Sequence, residues 1–415
     1  MTSNHSKVNQ KSSTGKIQIP KKKKIAFVCS GGAVKAGAFH IGVALAMREF
    51  GFRFQGGLDK PPKDQNSPLT IDTYVGSSAG SMISTFLASG YTIEEISASF
   101  LDQDQSESAR PLPRLSYSDI FKLRPEAAKE QLAQFLTLKT TVKKLIRGKW
   151  EALLNTDWLK TTGFFSTHGI ETYMRESVLP SNRFEDYASD LYVIGTQLNH
   201  SRKVVFGRNR FDPPPHDPSC RYLMHVKVSD AVAASTALPP FYSPYEIQNV
   251  AGKKLHYIDG EIRDTLSTHV AVDSGADLVI ASYTHQPYHY VKNIGSLMQM
   301  GIPAILMQSL YLMIEQKINQ YVHNKRNQKQ AIEKVEDYCK KHQINHEHRR
   351  EILRILEEQF SYRKNVDTIY IHPRPSDARM FFQPHFSLDP SSLNEIVRSG
   401  FRAAGEVLRH YDFQT

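Results

Sequence analysis

A glycine–serine turn at residues 76–80 constrains the fold most, because it joins a β-prone run ending at Val75 to a helix-compatible run. The turn reads Gly76-Ser77-Ser78-Ala79-Gly80. A serine at a sharp strand-to-helix turn is held in a strained conformation with its hydroxyl exposed, and a side chain at either flanking glycine would collide with the turn. The N-terminus of the following helix favours the negative charge that acyl transfer at a serine develops. The pattern therefore predicts Ser78 as a nucleophile, although an ordinary Gly/Ser-rich turn has the same form.

A second strand–loop–helix unit precedes this turn. Residues 25–29 form a continuous apolar run, typical of a buried strand, residues 30–37 form a glycine-rich loop, and residues 38–50 have apolar side chains near helical spacing. Such a unit is the usual opening of an α/β fold.

The glycine loop has two chemical interpretations. A dinucleotide-binding fingerprint fits poorly, because Gly31 and Gly32 are adjacent, Ala33 follows, and no acidic residue ends a second strand at the usual distance. An oxyanion hole fits better, because small residues before a helix turn successive backbone N–H groups toward one point. Lys35 would then tighten the loop or favour the anion, unless it is an ordinary exposed lysine.

Composition limits the class of protein. The chain has 415 residues, enough for one large domain or two ordinary ones, and three widely separated cysteines, Cys29, Cys220 and Cys339. This pattern suggests neither a disulfide framework nor a cysteine metal site, so a reducing compartment is expected. No apolar run is long enough for a spanning helix, and the polar start lacks the apolar middle of a signal peptide.

The net charge of +10 is concentrated at the start of the chain, where the first 48 residues contain no Asp or Glu. Residues 1–24 are predicted to be a basic, disordered leader to a single domain at 25–415. Attraction of the leader's lysines to anionic phospholipid is the alternative, at roughly 1 kcal/mol per Lys near the surface.

The remaining chain alternates strand-like and helix-like segments. Further strands are predicted at 191–196, 203–206, 256–258, 278–281 and 368–371. Helices are predicted at 79–87, 93–100, 126–160, 228–236, 270–276 and 391–410, and residues 292–360 are predicted to be a helical insertion with a charged hairpin. Within 142–158, a basic amphipathic stretch with two Trp residues is typical either of a helix packed on its own core or of a membrane-surface helix.

Ser78 needs a base. A histidine triad would place an Asp and then a His after it, and the downstream candidates are His256, His269, His285 and His289, none of which stands in a clear loop after a late strand. Asp259 ends a short apolar strand and precedes Gly260, so its carboxylate is expected at the same sheet edge as the turn. A carboxylate within hydrogen-bonding reach can serve as the base directly, but an Asp-Gly pair also forms plain turns.

Four blocks in order, 30–42, 76–80, 234–239 and 259–260, make the sequence resemble the patatin-like phospholipases. The resemblance implies a three-layer α/β/α fold with a mostly parallel central sheet. It implies a Ser-Asp dyad, with neither histidine nor metal and no cofactor, that acts on ester bonds of lipids.

Carried over residue by residue, the resemblance makes Ser78 the nucleophile and Asp259 the general base. Backbone N–H groups around Gly31, Gly32 and Ala33 would hold the oxyanion, with Lys35 at the family's basic loop position. Two residues depart from the family pattern. Ala33 replaces the usual third Gly, and Glu261 replaces the Gly or Ala after Asp-Gly, where it would either face water or, pointing inward, raise the pKa of Asp259.

The resulting expectation is a cytosolic or peripherally membrane-associated lipid acyl hydrolase that cleaves phospholipid or lysophospholipid esters, with no nucleic-acid partner. The alternatives are a serine esterase with a histidine triad and an inactive membrane-binding protein, the latter supported only by Ala33 and Glu261. His342, His346 and His348 have loosely metal-like spacing but are expected to be solvated.

Overall fold

A computed structural model describes most of the chain. The described residues are 15–59, 68–108, 110–124, 163–208, 220–239, 241–360, 362–363, 365–374 and 377–414, except the side chains of 302 and 303. The helices predicted at 126–160, with their basic amphipathic stretch, lie outside these ranges.

A mostly parallel sheet forms the centre of the described molecule. In chain order the strands are β1 (Ile17–Ile19), β2 (Ile25–Cys29), β3 (Arg53–Phe54), β4 (Thr70–Ser77), β5 (Lys122–Leu123), β6 (Phe165–Ser166), β7 (Asp190–Gln197), β8 (Arg202–Gly207), β9 (Cys220–Leu223), β10 (Tyr245–Gln248), β11 (Lys254–Asp259), β12 (Leu278–Ser282), β13 (Asp367–Ile371) and β14 (Tyr411–Phe413). Five of them run parallel in the order β7-β4-β2-β12-β13. Strands β8 and β11 pair antiparallel with β7, and β10 pairs antiparallel with β11. The parallel strands therefore end at a common edge.

The side chains of β2 explain why the central strands are continuous apolar runs in the sequence. Ile25, Phe27 and Cys29 face one hydrophobic core, whereas Ala26 and Val28 face a second core on the opposite side of the sheet. Parallel strands covered on both faces bury every side chain. The predicted strand at 25–29 is confirmed with the same bounds.

Helices cover both faces of the sheet. In chain order they are α1 (Ala33–Glu49), α2 (Ala79–Ala88), α3 (Ile93–Leu101), α4 (Tyr117–Ile120), α5 (His168–Tyr173), α6 (Val228–Ser235), α7 (Thr268–Asp273), α8 (Ile302–Lys341), α9 (His346–Gln359), α10 (Arg379–Phe382) and α11 (Pro390–Leu408). Met174–Val178 continues α5 as a π-helix, and 3-10 turns lie at Phe184–Asp186, Gly260–Ile262 and Leu297–Met300. Side chains of α1, α2 and α11 join the first core, and those of α7 and α8 join the second. The predicted three-layer α/β/α fold is confirmed.

The predicted helical insertion at 292–360 consists mainly of α8 and α9. Among the described residues of α8, one face meets the body of the protein: Tyr311 and Ile314 are buried, while Leu306, Leu310 and Met313 are exposed. Among the described residues, no helix is both long and apolar enough to cross a bilayer.

The predicted disordered leader is partly wrong. Ile17–Ile19 pairs in parallel with Tyr411–Phe413, and the Ile19 side chain is buried in the first core. The Lys22 and Lys24 ammonium groups form salt bridges of 2.7 and 2.5 Å with carboxylates of Asp367 and Asp190, so these two lysines contribute to the domain. The pairing joins residues nearly 400 positions apart, so no local pattern indicated it.

Candidate active site

Ser78 lies at a strained turn between β4 and α2. Its backbone has φ 52° and ψ −128°, a combination that a non-glycine residue adopts only under constraint. The constraint is close backbone packing: a Cβ on Gly76 would lie 2.4 Å from the carbonyl oxygen of Gly80, and one on Gly80 would lie 2.3 Å from that of Cys29. The two glycines therefore let the turn pack against β2, as the sequence pattern predicted.

Ser235, at the end of α6, ties this turn to β7. The Ser78 backbone N–H donates to the Ser235 Oγ at 2.8 Å, and the Ser235 hydroxyl donates to the Ile194 carbonyl at 2.6 Å. Sequence reasoning did not assign Ser235 a role. Its only signal was its place in the block at 234–239, which contributed to the resemblance.

Asp259 ends β11 beside the same turn, and its N–H donates to the carbonyl of Ala237 at 3.0 Å. Burial raises the pKa of Asp259 to about 6, although hydrogen bonds from the Ser78 hydroxyl and the Glu261 N–H lower it. The fold thus brings together the serine and the carboxylate singled out in the sequence.

The glycine loop lies against this pair. A Cβ on Gly31 would lie 2.8 Å from the Ser78 Cβ, and α1 begins at Ala33, so the N–H groups of its first turn have no partner within the helix. Gly32 and Ala33 have φ of 131° and 57°. Ala33 therefore occupies the left-handed region, which costs roughly 1–2 kcal/mol for a residue with a Cβ.

Lys35 is not directed at Ser78. Its ammonium donates to the Met380 carbonyl at 2.7 Å and to the Tyr311 hydroxyl at 3.3 Å, and its backbone N–H donates to the His385 carbonyl at 3.2 Å. Burial lowers the pKa of Lys35 to about 7. Of the two roles considered for this lysine, the geometry supports tightening of the loop.

Glu261 points inward. Its side chain is buried, and its Oε1 accepts a hydrogen bond from the Gly31 N–H at 2.7 Å. Its backbone N–H donates to the Asp259 Oδ1 at 2.9 Å. Burial, and not repulsion from Glu261, is the main cause of the raised pKa of Asp259.

The four downstream histidines make contacts elsewhere. His256 lies near Glu246, His269 contacts Asp264 and Lys203, and His289 lies within reach of Gln286. His285 lies behind the glycine loop, where burial lowers its pKa to about 3. These contacts give no support to a histidine triad.

A narrow apolar cavity of about 50 Å³ opens beside Ser78. Its lining is almost entirely apolar and includes Met82, Leu115, Leu238, Tyr242 and Phe386. A larger cavity of about 510 Å³ lies between α8 and β13, but neither Ser78 nor Asp259 lines it. Because Ser78 lines the smaller cavity and Asp259 ends the strand beside the same turn, that cavity is the candidate active site.

Comparison with known proteins gives one family. A family model described as Patatin-like phospholipase matches residues 27–272, which is more than half of the chain. The match includes every residue discussed at the site up to His269. The residues discussed there that lie beyond it are His285, Gln286, His289, Tyr311, Met380, His385 and Phe386. A search of curated proteins finds no significant match.

Proposed function

Because the chain belongs to the patatin-like phospholipase family, whose members are generally lipid ester hydrolases, we propose that it cleaves carboxylic esters of glycerophospholipids or lysophospholipids through an acyl-serine intermediate. The observation that carries this proposal is that the Ser78 hydroxyl, in the wall of an apolar cavity, lies close enough to the buried Asp259 carboxylate to lower its pKa.

In the first half-reaction, the Ser78 Oγ attacks the ester carbonyl carbon while Asp259 takes the hydroxyl proton. The carbonyl oxygen becomes an oxyanion, which the N–H groups around Gly31, Gly32 and Ala33 stabilise. The bond to the alcohol then breaks, and the alcohol leaves with the proton held by Asp259. The fatty acyl group remains as an ester of Ser78.

In the second half-reaction, Asp259 takes a proton from water, and the resulting hydroxide attacks the acyl carbon. Collapse of the second oxyanion breaks the bond to Ser78, whose oxygen recovers the proton from Asp259. Because the pKa of Asp259 is about 6, its carboxylate is ionised at neutral pH and remains basic enough to accept a proton.

Apolar lining beside the nucleophile supports an acyl chain as the bound part of the substrate. A hydrocarbon chain gains about 0.8 kcal/mol per CH₂ group removed from water. The alcohol portion would extend toward solvent.

Exposed apolar side chains support peripheral association with a membrane. Met298, Leu306 and Met313 have exposed fractions of 81%, 64% and 55%. Val291 and Ile294 pack in one cluster with Leu297 and Met307. They also line a cavity whose wall contains Arg379 and Arg402, together with Asp377 and the Glu406-paired Arg374. Apolar and cationic groups side by side suit a surface of anionic phospholipid.

The test is hydrolysis of a short soluble ester and of defined phospholipids, with mass spectrometry of the products, by wild type, Ser78→Ala and Asp259→Asn. We expect both variants to lose at least about a thousandfold in kcat/KM, as removal of a nucleophile or its base does. Glu246→Ala, a surface change on β10, should match wild type. Full activity in either site variant would refute the dyad, and loss of activity in a His285→Ala variant would favour a histidine.

A further inference from the structure

The Glu261 side chain occupies the space where the glycine loop meets the nucleophile. A Cβ on Gly31 would lie 2.5 Å from the Glu261 Cγ and 2.8 Å from the Ser78 Cβ, so the three residues converge on one point. The Gly31 N–H points into this space and donates to the Glu261 Oε1 at 2.7 Å. That hydrogen bond has the length expected between an oxyanion and its donor.

Hydrogen bonds satisfy only part of the Glu261 carboxyl. The other oxygen, Oε2, is buried and has no hydrogen-bond partner within the described ranges. An unpartnered buried polar atom costs about 1–3 kcal/mol, so such groups call for an explanation. Of the two oxygens, only the one at the Gly31 N–H has a partner of good hydrogen-bond geometry among the described residues; the nearby Ser77 hydroxyl, which also acts on this carboxyl, forms no such bond.

We propose that the Glu261 carboxyl is an internal occupant of the oxyanion site, which the carbonyl oxygen of the substrate must displace before Ser78 can react. This inference rests on the proposed ester hydrolysis. In the resting enzyme the Glu261 carboxyl is the hydrogen-bond acceptor of the buried Gly31 N–H. In the reactive enzyme the side chain rotates away and the N–H becomes available to the ester.

The charged groups around Glu261 make the displacement depend on pH. Burial first and the Asp259 carboxylate second raise the pKa of Glu261 to about 8; Asp264 adds to this effect, and the Gly31 N–H and the Ser77 hydroxyl oppose it. Asp264 is itself paired with Lys203 and His269.

The sign of the dependence follows from linkage. The buried position holds the proton more tightly than a solvated position, where the ordinary value of 4.5 applies. A rise in pH therefore disfavours the buried position, by about tenfold per pH unit between the two pKa values. The site is closed by Glu261 at low pH and opens as pH rises.

The experiment compares wild type, Glu261→Ala and Glu261→Gln on a short soluble p-nitrophenyl ester, with Glu246→Ala as the control carboxylate variant. Above about pH 6.5, where Asp259 is ionised, wild-type kcat/KM should rise roughly 30-fold up to about pH 8. The kcat/KM of Glu261→Ala should exceed that of wild type by a similar factor at about pH 6.5, and should then stay constant as pH rises. Glu261→Gln can still accept from Gly31 but cannot ionise, so its profile should be level and below that of Glu261→Ala.

Two results would overturn the proposal: a wild-type profile that is already level above about pH 6.5, or a folded Glu261→Ala that is slower than wild type there. Thermal unfolding checks that each variant is folded. If Glu261→Ala fails to fold, the contrast between the rising wild type and the level Glu261→Gln decides the question. Failure of the proposed function is separate, because it would appear as hydrolysis that survives Ser78→Ala.

Discussion

Asp259 shows how burial sets the chemistry of one residue. Its carboxyl is almost completely removed from water, and this burial raises its pKa from 3.8 to about 6. The folded protein therefore binds this proton more tightly than the unfolded chain does. The contribution of Asp259 to stability is present at low pH and is lost as pH rises from about 4 through about 6.

We predict that Asp259→Asn, which cannot ionise, is more stable than wild type at pH 8 by on the order of 3 kcal/mol and nearly equal to it at pH 4. Urea unfolding at the two pH values measures the difference. Asp59→Asn, an exposed position, should show no comparable change with pH. An Asp259→Asn variant less stable than wild type at both pH values would contradict the prediction.

At the scale of elements, α6 holds the two halves of the site together. Its Ala231, Ala233 and Ala234 side chains are completely buried, which lets the helix approach the sheet closely. Ser235 at its end bonds to the backbone of both the Ser78 turn and β7, and Ala237 just beyond accepts the N–H of Asp259. One short helix thus fixes Ser78 and Asp259, the proposed nucleophile and base, relative to each other.

Ser235→Ala should leave a buried N–H and a buried carbonyl without their partner, at a cost of about 1–3 kcal/mol in the free energy of unfolding. Because the Ser78 turn loses the hydrogen bond that holds it in place, we also expect kcat to fall about tenfold or more with little change in KM. Steady-state kinetics and urea unfolding measure the two effects.

Ser229→Ala is the matched control for this helix. The Ser229 hydroxyl donates to Glu171 at 3.0 Å and accepts from Asn182 at 2.9 Å, so its removal also breaks two partly buried hydrogen bonds, but away from the turn. It should lose stability while keeping kcat. Equal kcat in the two variants would show that Ser235 does not position Ser78.

At the scale of the whole molecule, α8 projects apolar side chains away from the core that its opposite face helps to form. Tyr311 and Ile314 are buried, and Leu306 and Leu310 are exposed. The buried Lys35 ammonium, which bonds to Tyr311, links this helix to the glycine loop. The exposed surface is therefore attached to the same framework as the site.

Leu306→Glu combined with Leu310→Glu should lower hydrolysis of anionic phospholipid vesicles by at least about tenfold, because each leucine that leaves a membrane loses about 1.5–3 kcal/mol of transfer free energy. Hydrolysis of a short soluble ester should be unchanged. Ile355→Glu, at an exposed apolar position on α9, serves as the control. Equal loss on both substrates would show a structural role instead, and unchanged vesicle hydrolysis would refute the membrane contact.

The sequence by itself determined the features that depend on neighbouring residues. The buried strand at Ile25–Cys29, the turn around Ser78 and the strand that ends at Asp259 could all be predicted, because local apolar runs and glycine placement specify them. The order of these units then predicted an α/β fold, since strand–loop–helix units stack in few ways.

Only the tertiary structure decided what depends on contacts between distant segments. The inward direction of Glu261, the Ser235 link between turn and sheet, and the pairing of Ile17–Ile19 with Tyr411–Phe413 join residues that are between 41 and 394 positions apart. The residue pattern within one segment does not indicate which distant segment will pack against it. Side-chain direction at these places follows from packing, because the same residue could equally have faced water.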